Sequence, residues 1–125
     1  MKNLNALIGA IVFAWFPEDE NPHVAGPKYR PTLVVDVDQS KMMVKLAYGT
    51  SRNVFNLRKG DIAFEQHEIE GLSKDTKFRL GQTKWVLLSP EMFFRDKTHS
   101  KLSVIGFTPN NRARDLMQSI EEIQN

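Results

Sequence analysis

Apolar residues crowd the chain from Ile8 to Phe16, where β-branched and aromatic side chains run up to Pro17 and an acidic stretch that cannot extend a central strand. This pattern predicts a first strand. The next segment, Pro17 to Tyr29, holds three prolines, a glycine and several polar residues, and so reads as a long exposed loop. From Arg30 to Asp38 the pattern alternates, with Leu33, Val35 and Val37 on one face and Thr32, Val34, Asp36 and Asp38 on the other, which predicts one packed face and one largely wet face. A polar turn over Asp38 to Lys41 leads into a second alternating strand, Met42 to Tyr48, ended by Gly49-Thr50-Ser51.

Shorter pieces follow. Val54 to Leu57, a turn at Arg58-Lys59-Gly60-Asp61 and Ile62 to Phe64 predict a hairpin. Phe78 to Leu80, Thr83 to Leu88, Phe93-Phe94 and Leu102 to Phe107 each read as a brief strand. Strands so closely spaced, without intervening helices, point to a small barrel or sandwich rather than to alternating strand-helix units. Only the end changes period. Leu116, Ile120 and Ile123, with Met117 alongside, recur at helical spacing, and Thr108-Pro109 offers an N-cap and first-turn pair. The charges of that helix oppose its dipole, with Arg112 and Arg114 near the start and Glu121 and Glu122 near the end.

The 125 residues suit one domain spanning 1–125, and 41% apolar with 26% charged residues is globular rather than disordered composition. A formal charge of +2 permits an anionic partner without requiring one. Its distribution says more. Gln39 to Gly60 carries Lys41, Lys45, Arg52, Arg58 and Lys59 and no acidic residue, whereas Glu18, Asp19 and Glu20 form an acid run upstream. With no cysteine, disulfides, thiolate metal sites and thiol nucleophiles are excluded, and a cytoplasmic location is expected. The run Ala6 to Phe16 is too short to span a bilayer, so no membrane association is expected. His67 and His99 stand alone without metal-ligand spacing, and no metal or other cofactor is expected. Trp15, Trp85, Phe13, Phe16, Phe93 and Phe94 could stack bases, but most fall on strand patterns and read as core, with one of the adjacent Phe93 and Phe94 at an edge or interface.

A first strand ending in Phe16-Pro17, a long loop, Tyr29-Arg30-Pro31-Thr32-Leu33-Val34-Val35 and then Ala47-Tyr48-Gly49-Thr50-Ser51 resemble, in order and spacing, the PemK/MazF growth-inhibitor family. Gly71-Leu72, Thr76 to Leu80 and Trp85 to Leu88 are similar to its middle and late strands. The resemblance implies a mainly β, SH3-like small barrel of the PemK/MazF/CcdB kind with a C-terminal α-helix. It also implies a homodimeric toxin of a type II toxin–antitoxin system that cuts single-stranded RNA without metal and is held inactive by a cognate antitoxin protein. By motif position the catalytic pair falls on Arg30 and Thr50. The loop before Arg30 departs from the family pattern, lacking its glycine-acid-glutamine run.

The residues themselves fit that chemistry. Metal-free RNA cleavage needs the 2′-hydroxyl deprotonated and the charge growing on the phosphoryl oxygens stabilised. Arg30 offers paired, permanently charged donors, and Gly49, Thr50 and Ser51 offer a hydroxyl and backbone N–H groups where the chain can approach a phosphate. Arg52 and Asn53, just beyond, are candidate RNA contacts; Glu18, Glu20 and His23, on the loop preceding Arg30, are candidate general bases. Two other functions share the same barrel: a non-catalytic module binding nucleic acid or protein, and a toxin acting on a protein target.

Overall fold

A computed structural model describes residues 3–88, 93–94 and 104–124. After a 3-10 turn at Leu4–Leu7, six strands follow: β1 (Ala10–Trp15), β2 (Tyr29–Asp38), β3 (Met43–Thr50), β4 (Asp61–Phe64), β5 (Thr76–Leu87) and β6 (Val104–Phe107). A helix, α1 (Ala113–Gln124), closes the described chain. The strands form one antiparallel sheet in the order β4-β5-β3-β2-β1-β6, curled into a half-barrel. Among the described residues no helix is long and apolar enough to cross a membrane.

Both faces of the curled sheet are covered, which corrects the expectation of a wet face on β2. Leu33 joins a cluster with Ile11, Phe64, Phe78 and Leu80 beneath α1, while Val34 joins Val12, Leu46, Val86 and Phe94 on the opposite side. Val35 keeps to the first cluster with Leu33, but an irregularity between Val34 and Asp36 turns Val37 onto the second, which corrects its expected place beside Leu33 and Val35, without breaking the pairing to β3. Even Thr32 is fully buried, its hydroxyl donating to the Val12 carbonyl at 2.9 Å. The turn before β3 is built as its residues suggest. Ser40 Oγ and the Lys41 N–H donate to the Asp38 carboxylate, and these bonds hold its pKa below the usual carboxylate range.

Four further expectations are overturned. Val54 to Leu57 is not a strand: Val54 is buried, Phe55 and Leu57 are exposed, and β4 pairs with β5 instead. The pieces at Phe78 and Thr83 are one strand, because β5 runs through Leu80-Gly81-Gln82 as extra residues opposite the Ala47–Tyr48 step of β3. Phe93 and Phe94 are not a strand and neither is at an edge; both rings are buried in the second cluster, and the Phe93 carbonyl accepts from the Trp15 N–H at 2.7 Å. Trp85 is not core but 40% exposed. His99 and Leu102 lie outside the described residues.

The helix is attached by the charges that oppose its dipole. Thr108 does not cap it; its hydroxyl and N–H both bond the Gly9 carbonyl, and the chain enters α1 through a 3-10 turn at Asn110–Arg112. Arg112 grips Glu68 through two bonds of 2.7 and 2.9 Å, Asp115 at 2.7 Å and the Ala63 carbonyl at 2.8 Å, and lies over the Phe64 ring at 4.6 Å. Burial pushes the Glu68 pKa up, but the hydrogen bonds and charge of Arg112 outweigh it and leave the carboxyl below its ordinary value. At the far end Glu122 accepts from the Gly60 N–H at 2.8 Å. Ser119 reaches the Asp61 carbonyl, so side chains of α1 and of the turn before it satisfy carbonyls on the outer edge of β4.

Candidate functional site

The second core cluster stops at Phe16, whose ring meets Tyr48 edge-on at 5.5 Å. Beyond it the same face of the sheet turns polar. Register explains which side chains emerge there: Tyr48 lies opposite Thr32 on one side and Arg79 on the other, and Thr50 lies opposite Lys77. Since alternate residues share a face, Arg30, Tyr48, Thr50, Lys77 and Arg79 all stand on it. Sequence positions 30, 50 and 79 thus meet across three neighbouring strands.

Arg30 is half-buried and lies over Tyr48, its guanidinium carbon 4.2 Å from the ring centre. Arg30, Gly49, Thr50, Ser51 and Arg52 line one cleft of about 430 Å³, together with Lys28 and Lys74. Gly49 is needed for the close approach of β2 and β3, because a Cβ there would strike the Pro31 carbonyl oxygen and stand 2.9 Å from Cε1 of Phe78. The Thr50 hydroxyl accepts from the Arg52 N–H at 3.2 Å, which occupies a lone pair and leaves its own proton to be donated to a ligand. Four charged side chains of one sign, the Thr50 hydroxyl and a glycine that admits close approach of the backbone make this cleft suited to a phosphate.

The candidate bases lie elsewhere. Glu18 and Glu20 are exposed and line an adjoining cleft of about 600 Å³, which Arg30 and Tyr48 also border. Its loop is tied down by Asp19, paired with Lys84 at 2.6 Å, and by the Gly26 N–H, which donates to the Trp15 carbonyl at 3.2 Å. His23 is exposed on that loop and lines neither cleft. Asn53 sits past Arg52 with φ of 47°, on the border of a third cleft.

That third cleft, about 250 Å³, holds the residues that sequence reasoning missed. Thr50, Arg52 and Tyr48 line it as well as the 430 Å³ one, and Arg58, Lys77 and Arg79 complete its basic wall. The available signal was the acid-free run from Gln39 to Gly60; Lys77 and Arg79 gave none, because alternation in a strand does not reveal which strand lies beside it. Among the described residues no group of three or more histidine, aspartate or glutamate side chains is arranged to hold a metal ion. No model of a known protein family matches the chain, and neither does any curated protein.

Proposed function

We propose that the chain is a metal-independent endoribonuclease toxin of the PemK/MazF-like kind, with an SH3-like barrel, acting on single-stranded RNA. The observation that carries this reading is the convergence of Arg30 from β2 and Thr50 from β3 on a single cationic cleft. In the proposed step the ribose 2′-oxygen attacks phosphorus, a P–O2′ bond forms, the P–O5′ bond breaks and the proton lost by the 2′-hydroxyl is balanced by one gained at O5′. Arg30 and the Thr50 hydroxyl stabilise the phosphoryl oxygens as their charge grows. Stacking on Tyr48 holds the guanidinium plane in place, so the site is organised before RNA arrives. A cognate antitoxin, a homodimeric state and a cytoplasmic setting belong to the same reading.

The test is single-turnover cleavage of a mixed-sequence single-stranded RNA in excess EDTA. The expected products carry 2′,3′-cyclic phosphate ends, and a 2′-deoxy nucleotide at the cut site blocks the reaction. Loss of cleavage in EDTA with recovery in magnesium would overturn the metal-free step. A second reading, a barrel that binds nucleic acid without cutting it, draws on one observation: among the described residues no carboxylate or imidazole lines the cleft that holds Thr50. Tight RNA binding with intact substrate after prolonged incubation would select it.

A further inference from the structure

We infer that the cleft walled by Arg52, Arg58 and Arg79 is a second phosphate subsite, which holds the RNA phosphate next to the one being cut. The inference rests on the ribonuclease reading and adds to it a second point of attachment. Thr50, Arg52 and Tyr48 border both clefts, so the two sites adjoin and one strand with a repeating charge can occupy them together.

The cleft is organised by buried groups rather than by a solvated loop. Lys77, only 5% exposed, donates to the carbonyls of Asn53 and Asn56 at 3.1 and 3.0 Å, and so uses its ammonium to shape the loop. The left-handed turn at Asn53 is secured by the Asn56 N–H bonding its carbonyl at 3.0 Å. Asp61, buried beneath, accepts from the Arg58 N–H at 2.8 Å and fixes where that arginine leaves the backbone. Arg79 is not consumed by these contacts. Among the described residues its nearest carboxylate oxygen, on Asp61, is 3.9 Å away, and its buried Nε has no hydrogen-bond partner. Among the described residues no acidic side chain lines the cleft. Three arginines around a space this small suit a tetrahedral oxyanion that can accept from several forks at once. Continuity with the Thr50 cleft selects a nucleic-acid backbone over an isolated ion.

The experiment compares binding of a 2′-O-methyl dinucleotide, which cannot be cut, bare or carrying one terminal phosphate at either its 5′ or its 3′ end. At low salt the terminal phosphate at one of the two ends tightens binding about tenfold or more, as one charge-assisted contact should. The salt dependence also steepens by about 0.7 of a logarithmic unit. Arg52→Gln with Arg58→Gln, both at exposed loop positions, abolishes that gain, and Arg79→Gln does the same if it folds. A terminal phosphate without effect, or a gain that survives the Arg52→Gln and Arg58→Gln pair, overturns the subsite and leaves the ribonuclease reading standing. Inorganic phosphate binding as tightly as the phosphorylated dinucleotide would reduce it to an isolated anion site. Equally tight binding of poly-glutamate would assign the cleft to an acidic protein segment. Failure of every oligonucleotide to bind would bring down both readings.

Discussion

Replacing Arg30 by alanine separates catalysis from folding by magnitude. Arg30 is half-buried, and the interaction it supplies to the fold is its stacking on Tyr48, worth about 0.5–1 kcal/mol at a partly exposed site. For a domain of this size such a loss lowers the melting temperature by only about 2–6 °C. Against a native stability of about 5 kcal/mol or more, the fraction folded at 25 °C hardly changes. The donor itself is worth more. A group that binds charge developing in the transition state contributes about 2.7–4 kcal/mol, so the cleavage rate should fall by about two to three orders of magnitude. Single-turnover kinetics beside thermal melting read the two quantities on the same sample. Arg30→Lys should keep RNA affinity near that of the parent but recover little rate, because a point charge does not reproduce a planar pair of donors. An Arg30→Ala variant that folds and cuts within about threefold of the parent would refute the assignment.

Other outcomes follow from contacts already described. Thr50→Ala should slow cleavage by about tenfold or more, and Thr50→Ser should recover part of the rate through the retained hydroxyl, measured in the same kinetic assay. Gly49→Ala should destabilise the protein by about 1–3 kcal/mol or prevent folding, since the obstacles are a carbonyl of β2 and the core ring of Phe78; denaturant titration reads it. Arg112→Ala strands the Glu68 carboxylate and the Ala63 carbonyl and should cost about 2–4 kcal/mol by thermal or chemical unfolding. The folded-state pKa of Glu68 is depressed, so its contribution is complete above the unfolded value of 4.5 and fades as pH falls through the lower folded value. An acid titration of Arg112→Ala should therefore lose less stability below pH 4.5 than the parent does.

Local pattern in the chain was informative where it matched local structure. β1, the proline-rich loop, β2, β3 and the amphipathic helix all lie where apolar period and turn residues place them, and the Arg30 and Thr50 motifs converge on one cleft. What escaped was decided between elements. Gly81-Gln82 looks like the end of a strand, yet β3 supports pairing on both sides of it and β5 continues. Val34 follows an alternation that reads as solvent-facing until Phe93 and Phe94, some sixty residues on, cover that face. The apolar Phe55 and Leu57 suggest a strand but lack a neighbour, because Lys77 draws the loop between them into a different shape. Arg79 entered the site through its register with Tyr48, which no single segment encodes.

Since α1 and the turn before it follow all of the described strands, the ribosome releases that sheet before the side chains that seal its β4 margin. In that interval the Asp61 and Ala63 carbonyls lack their Ser119 and Arg112 partners and present a strand margin open to pairing with any extended segment nearby. A nascent chain halted before Arg112 is therefore the form of this protein most exposed to aggregation and to proteolysis. A stop codon just before Arg112, far along the chain from Arg30 and Thr50, would act by lowering how much protein accumulates rather than how fast each molecule works.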